Sequence, residues 1–428
     1  MLTQLRLERF KNFLDAELHL GSFTLILGTN ASGKSNLRDA FRFLHGISRG
    51  YNLAEIMGEK YVEGGVLQWR GIRGGTREVA FEEANTFSLE ASFTFPADIL
   101  GLEATYRIEV DVGTDNQAPS IITERLAIAG QEDSFFEAES LAEQGHRDLI
   151  VKVLSTPVTN RLIPFTHYRP IVSQLAELAI DVLLTDSEAF ISATSIKEVA
   201  RATLKAFSSM RFLDLNPDAM RIPSVPGQTI LGDRGENLSS LLQSICANPQ
   251  RKQALIQWIQ ELTPMDAADF EFPADFTGKI LLSLIEANGQ KTSAISASDG
   301  TLRFLAMIAA LQEPQTAQFY FFEELDNGIH PTRLNLLLQL IEHQVEQGSI
   351  QIVATTHSPQ LLKLLSPKTL ESTSLTYRLP DRLDAKIQRI VDIPEAKHLI
   401  QEQNLARLHE SGWLEDAVYF LEDQETVE

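Results

Sequence analysis

The chain has 428 residues, a formal net charge of −21, 43% hydrophobic and 22% charged residues, and one cysteine, Cys246. That length and composition suit a soluble globular protein with more than one core, or one core with a large insertion. The lone cysteine excludes an intramolecular disulfide and a cysteine-built zinc site, no cleavable leader or membrane-length apolar run is seen, and the acidic balance leaves only local basic patches for nucleic acid.

In chain order, the first informative stretch is Phe23-Thr24-Leu25-Ile26-Leu27, a short apolar run of strand formers. It leads into Gly28-Thr29-Asn30-Ala31-Ser32-Gly33-Lys34-Ser35, which fits G-x-x-x-x-G-K-[ST]. Leu37, Ala40, Phe41 and Leu44 then recur at helical spacing. Strand, glycine loop and helix together are the context a phosphate cradle requires. Glycines let the backbone turn its N–H groups toward phosphate oxygens, and the helix N-terminus adds partial positive charge. The expected nucleotide contacts are Asn30, Ala31, Ser32, Gly33, Lys34, Ser35 and Asn36. Lys34 is expected to reach the β- and γ-phosphates of ATP, and Ser35 to hold Mg²⁺.

From about residue 62 to 155 the pattern is of short β-like runs, among them Phe87 to Phe95, Tyr106 to Val112 and Ile121 to Ile128. Glycine-containing turns such as 71–75 and 113–116 separate some of them. From about 172 to 262 the pattern turns helical, interrupted by Pro217, Pro223 and Pro226, and Asp233 to Leu238 leads into a further helix. Sustained heptads are absent, so no long coiled-coil arm is expected. From about 277 onward an α/β pattern returns.

Phe319-Tyr320-Phe321-Phe322 reads as a strand buried on both faces, and it ends in Glu323-Glu324. Ligands bind at the carboxyl ends of such strands. Glu323 is placed to assist Mg²⁺ through water, and Glu324 to orient or deprotonate an attacking water. Alone, the pair reads equally as a solvated acidic turn. Asp326-Asn327-Gly328 marks a turn, and His330-Pro331 opens a helix with Leu334, Leu337, Leu338 and Ile341 on one face. Ile350 to Ala354 is a further β-rich run that ends in Thr355-Thr356-His357-Ser358-Pro359. A histidine there can sense a γ-phosphate or simply belong to a turn.

The order of these motifs resembles an ABC-type, AAA-family ATPase of the RecF/SMC/OLD branch. Besides the phosphate loop and the Glu323-Glu324 pair, Leu5 to Phe13 is similar to the family's first strand and its F-K-x-F turn. Ser298-Asp299-Gly300-Thr301 is similar to its signature loop, opening a helix through Leu305, Ile308 and Leu311. Asp326 to Pro331 is similar to the D-loop, and Thr356 to Pro359 to the switch-histidine loop. Two positions depart from the pattern. Glu323 stands where most relatives carry aspartate, and Leu325 where they carry proline.

The resemblance implies an α/β fold, an ABC-type P-loop ATPase head with an antiparallel β subdomain and a helical insertion. The expected division is an N-terminal lobe over 1–170, a helical insertion over 171–265 and a C-terminal lobe over 266–428. It implies catalytic roles for Glu324, His357 and Lys34, metal roles for Ser35 and Glu323, and nucleotide contacts in trans from Ser298 and Gly300. The last follows because relatives close as ATP-sandwiched homodimers or higher even oligomers. The D-x-D pair of a Toprim nuclease is absent after His357; the tail carries Asp381, Asp384 and Asp392 and ends in an acidic, helix-like stretch from Trp413 to Glu428.

By resemblance, three functions stand open. One is a cytoplasmic sensor or regulatory ATPase of a prokaryotic anti-phage defence system, controlling a separate nuclease or toxin chain. The second is a RecF-like DNA-repair clamp gated by ATP. The third is a nucleotide-gated scaffold with negligible turnover. The DNA candidates are Arg6, Arg9 and Lys11; Arg70, Arg73 and Arg77; and Arg201, Lys205 and Arg211, unless these are scattered solvated charges.

Overall fold

The computed structural model describes residues 1–96, 101–113, 117–130, 134–140, 148–153, 163–177, 187–262, 267–313, 317–348, 350–379 and 382–393. The first half carries β1 (Leu2–Phe10), β2 (Phe13–His19), β3 (Phe23–Gly28), α1 (Lys34–Ser48), α2 (Leu53–Met57), β4 (Lys60–Val62) and β5 (Val66–Trp69). There follow β6 (Thr86–Thr94), β7 (Glu103–Asp111), β8 (Ser120–Ile128), β9 (Phe136–Ser140), β10 (Asp148–Val153), β11 (Ile163–Thr166), α3 (Ile171–Glu177) and α4 (Ser187–Ser208). The second half carries β12 (Met210–Leu213), α5 (Pro217–Met220), α6 (Leu238–Cys246), α7 (Pro249–Leu262), β13 (Ala267–Glu271), β14 (Ser283–Glu286), β15 (Lys291–Ser293) and α8 (Asp299–Leu311). It ends with β16 (Phe319–Phe322), α9 (Pro331–Glu346), β17 (Gln351–Thr356), α10 (Pro367–Glu371), β18 (Ser374–Arg378) and β19 (Ala385–Arg389). The fold is mixed α/β. The expected tail helix from Trp413 to Glu428, Asp381, and positions 114–116 of one expected turn lie outside the described residues.

The chain divides into two compact units. One comprises Met1–Gly21, Gly28–Met210 and Ser374–Arg389, and the other Ser22–Leu27, Arg211–Thr373 and the chain from Ile390 onward. The first is built on an antiparallel sheet of order β11-β10-β9-β8-β7-β6-β1-β2. Alternation explains it: Phe87, Leu89, Ala91 and Phe93 of β6 and Ala104, Tyr106, Ile108 and Val110 of β7 all point inward. Helix α1 packs on this face through Phe43, whose ring meets Phe87 edge-on at 5.4 Å, as Phe10 does from β1. The outer face is tied by ion pairs, Arg6 to Asp15 at 3.0 Å, Arg9 to Glu109 at 2.8 Å and Arg107 to Glu8 at 2.5 Å.

A buried carboxylate marks the same unit. Glu124 of β8 accepts from the amides of Ile171 and Val172 at 2.6 and 2.8 Å and from the Tyr106 hydroxyl at 3.0 Å. It thereby caps the start of α3. Burial pushes its pKa from 4.5 up to about 7, against the pull of these three donors. The folded state therefore holds a proton between those values that the unfolded chain has released. Its contribution to stability is full below about pH 4.5 and is lost as pH rises through 7. Relative to Glu124→Gln, the parent should gain roughly 3 kcal/mol of unfolding free energy between pH 8 and 4.5. Denaturant midpoints of both proteins across that range check this; a constant difference would refute it.

The second unit carries the parallel strands. Phe319 to Phe322 of β16 pairs in parallel with Gln351 to Ala354 of β17, and Ile352 to Thr356 of β17 with Phe23 to Leu27 of β3. Every residue of β16 and β17 is buried, as both-face burial of a parallel sheet demands. Strand β12 flanks β16. It interrupts the stretch read from sequence as helical, because Met210-Arg211-Phe212-Leu213 is too short to show its period. Helix α9 buries Leu334, Leu337, Leu338 and Ile341, the face its spacing predicts. Among the described residues no helix is long and apolar enough to cross a membrane.

Candidate functional site

In the first unit, the loop between β3 and α1 has the backbone of a phosphate cradle. Gly33 takes φ 106° and the non-glycine Ala31 takes φ 64°, both in the left-handed region. Side chains are excluded at both glycines of the motif. A Cβ on Gly28 would stand 2.4 Å from the Thr376 carbonyl oxygen, and one on Gly33 2.6 Å from Phe13 Cζ. Ser32 Oγ meets Thr376 Oγ1 at 2.8 Å, which pins the loop's middle to β18. Thr29, Asn30 and Ala31 are exposed, Ser35 and Asn36 half-buried. No side chain caps α1; the Asn36 and Leu37 amides turn back to the Gly33 carbonyl at 2.8 and 3.1 Å, and the partial positive charge of the helix N-terminus suits an anion. Lys34 is buried, with Nζ donating to the carbonyls of Gly28 and Thr29 at 2.5 and 2.7 Å. The ammonium is thus held over the loop's own mouth.

A clamp that sequence reasoning missed holds the first turn of α1. Asn36 donates to Asn12 Oδ1 at 2.7 Å and accepts from Arg73 Nη2 at 3.1 Å. Arg73 Nε also donates to Asp39 Oδ2 at 3.1 Å, and Asp39 is fully buried. Lys11 donates to the Arg73 carbonyl. The F-K-x-F turn therefore buttresses the loop through Phe13 and Asn12. One signal was available: Asp39 sits on the apolar face of α1 between Leu37 and Ala40, where a carboxylate requires a basic partner.

In the second unit, β16 ends in the paired carboxylates. Glu323 is half-buried, its amide donating to the Leu213 carbonyl at 2.9 Å. Glu324 takes φ 50°, a left-handed backbone that is costly for a side-chain-bearing residue and persists only where surroundings enforce it. Three bonds do so. The Glu324 amide donates to Thr355 Oγ1 at 3.0 Å, the Leu325 amide to the Thr355 carbonyl at 2.9 Å, and Thr356 Oγ1 to Asp326 Oδ1 at 2.7 Å. The exits of β16 and β17 are thus laced together. Asn327 Nδ2 donates to Glu324 Oε2 at 2.7 Å, and His357 Nε2 stands 3.6 Å from Glu324 Oε1. So the structure brings Glu324 and His357 together. Thr355, Asp326 and Asn327, which hold them, are read from sequence only as parts of a turn and a strand end, with no holding role.

Ser298 caps α8 in the same unit, its Oγ accepting from the Thr301 amide at 3.2 Å. Gly300 has a packing reason of its own: a Cβ there would lie 2.1 Å from the Gly328 carbonyl oxygen. Arg221 secures the loop through Asp299 Oδ1 at 2.6 Å and the Ala297 carbonyl at 3.0 Å. Ser298 remains exposed.

The residues fit Mg-nucleotide. The glycine cradle of the first unit excludes side chains where phosphates must approach the backbone, and the Ser35 hydroxyl that follows it is a hard oxygen donor of the kind Mg²⁺ takes. Among the described residues no three His, Cys, Asp or Glu side chains cluster as a preformed metal cage. A Mg²⁺ carried by phosphates needs only one or two protein ligands.

No curated protein matches the chain in sequence. Among solved structures, an SMC head bound to the C-terminal winged-helix domain of ScpA shares 15% identity, with 90% of this chain and 97% of that chain covered and a TM-score of 0.48. The SMC head domain from Thermotoga maritima shares 13%, covering 91% and 98%, with a TM-score of 0.41. An SMC head with an extended coiled coil from Pyrococcus furiosus shares 14%, covering 94% and 98%, with a TM-score of 0.43. Residues 23–98 and 194–363, more than half of the chain, match the family described as "AAA domain, putative AbiEii toxin, Type IV TA system". The chain belongs to this AAA domain family.

Proposed function

We propose that the chain is a Mg-dependent ATP hydrolase that closes around ATP as a homodimer or higher even oligomer. In this reading it is the cytoplasmic sensor or regulatory subunit of a prokaryotic anti-phage defence system and controls a separate effector chain, a nuclease or toxin. The observation that carries the hydrolase reading is Glu324, a carboxylate at the end of a buried parallel strand, in an enforced left-handed backbone, with one oxygen fixed by Asn327 and the other 3.6 Å from His357. Such a group accepts a proton from water and orients it. Lys34 and the loop amides from Asn30 to Asn36 bind the β- and γ-phosphates. Ser35 and Glu323 hold Mg²⁺, which when bound neutralises phosphate charge. His357 steadies Glu324 and senses the γ-phosphate. Ser298 and Gly300 serve the nucleotide of a second copy.

The toxin–antitoxin wording of the family description supports the defence setting. The DNA-clamp alternative is weakened by the basic residues themselves. Arg6, Arg9 and Arg73 are engaged by Asp15, Glu109 and Asp39, and a charge so paired releases few counterions on meeting phosphate. The test is a pull-down of ATP-loaded Glu324→Gln protein from its native host, with protein and nucleic acid both identified. A stoichiometric nuclease or toxin chain is the expected result. DNA with no protein partner would move the assignment to the clamp.

A further inference from the structure

The hairpin of β4 and β5, in the first unit, carries apolar side chains on both of its faces. Every residue from Tyr61 to Gln68 is exposed, with Tyr61 at 56%, Val62 at 41%, Val66 at 62% and Leu67 at 38%. Tyr61 stands opposite Leu67 and Val62 opposite Val66, and successive pairs point to opposite faces. The turn between the strands closes with the Gly65 amide on the Val62 carbonyl at 3.1 Å. It runs through Gly64 and Gly65 at φ 84° and 73°, and a Cβ on either would meet nothing within 4 Å. The tip is therefore clear of the described residues. A two-stranded hairpin by itself is marginal in water, and this one is held at its base. Trp69, opposite Lys60, is buried, donates from Nε1 to the Ile56 carbonyl at 3.1 Å and meets the Tyr51 ring edge-on at 5.5 Å. Lys60 Nζ lies 4.2 Å from the centre of the same Tyr51 ring and 3.0 Å from Glu55.

We propose that this hairpin is a docking arm for a separate protein chain, which adds an extended segment of alternating apolar and basic residues to the open edge of β5. The inference names where the partner of the proposed function binds, and it rests on that reading. Strands β4 and β5 form a sheet of their own, so each leaves one row of backbone N–H and C=O groups for a further strand. Folded chains blunt such edges with lysine, proline or a covering segment. Here the edges carry tyrosine, valine and leucine, strand formers whose exposed surface a third strand would cover. Charge selects the occupant. Lys60, the one basic residue from Lys60 to Trp69, is spent on Glu55, and Arg70 lies past the end of β5. Glu59, which accepts from the Tyr61 hydroxyl, and Glu63 are exposed. Paired edge to edge with a second copy, these carboxylates would meet their own kind, on chains that each carry −21. A segment bearing lysine or arginine meets them with the opposite sign.

The experiment places a photoreactive phenylalanine analogue at Leu67 of the full chain in its native host and identifies, by mass spectrometry, both the captured chain and the captured segment. The expected result is a separate chain joined through a stretch in which apolar residues alternate with lysine or arginine. Val62→Lys with Val66→Lys, in the same photoreactive background, should lower that capture at least about tenfold, since lysine on an open edge opposes strand addition and repels a basic segment. Val62→Ile with Val66→Ile keeps strand formers at both places and should leave capture intact. Both positions are exposed, so melting temperature and ATP binding should not move in either pair. Crosslinks between two copies of this chain, to a segment without basic residues or to no protein would each overturn the proposal, as would capture that the lysine pair leaves unchanged. A nuclease or toxin chain that co-purifies equally with the parent and the lysine pair would overturn the docking arm and leave the proposed function standing. A captured basic segment from a chain that is neither nuclease nor toxin would sustain the arm and overturn the effector reading.

Discussion

Glu324→Gln should retain ATP and lose hydrolysis by about 10²- to 10⁴-fold, the span that general-base catalysis supplies. The substitution is nearly isosteric. Its amide oxygen can still accept from Asn327, and the backbone bond from Glu324 to Thr355 does not involve the side chain, so the left-handed φ of 50° is kept. What disappears is the basic oxygen that faces His357 at 3.6 Å. Binding depends on the phosphate loop and is untouched. With closure still permitted and opening no longer driven by cleavage, the ATP-bound dimer should accumulate. Single-turnover hydrolysis and sedimentation with ATP measure the two effects separately. Hydrolysis at the parental rate would show that the carboxylate doing the work is another, with Glu323 the first to examine.

The parts legible in sequence are those whose signal is local. Strands β3, β16 and β17 announce themselves as unbroken apolar runs because both faces are covered, and the phosphate loop because each glycine answers a backbone requirement within eight positions of the chain. Glu324 could be named for the same reason, as the residue just past a buried strand. What keeps it in place could not. Thr355 lies 31 positions away, and nothing in either segment says that a hydroxyl there will meet an amide here. Asp39 advertised a missing partner by sitting on an apolar helix face, but Arg73 lies 34 positions on, in a glycine-rich turn with no period to read. Ser298 shows the limit from the other side. Its pattern resembles a signature serine; in the chain by itself the hydroxyl caps α8, and the trans role that the resemblance implies would need a second copy.

Lys34→Ala should abolish measurable ATP binding, by at least about a hundredfold, since charge-assisted bonds from one ammonium to phosphate oxygens are each worth about 1.5–3 kcal/mol. The argument turns on what Lys34 already does. Its ammonium is buried and bonded to the Gly28 and Thr29 carbonyls, so it is pre-placed at the loop mouth and needs no search through side-chain rotamers to meet a phosphate. Alanine removes the only charge in Gly28 to Ser35 while leaving the loop's shape to Gly33, to Ser32 on Thr376 and to the Asn36 clamp. Stability should therefore move little, and loss of binding with an unchanged melting temperature would separate a chemical role from a folding one. Nucleotide binding by equilibrium titration, in Mg²⁺ and without it, is the measurement. A variant that still binds ATP tightly would mean that the amides of the loop and α1 suffice for the phosphates, and Lys34 would then have to act after binding, on the charge that develops as the γ-phosphate leaves.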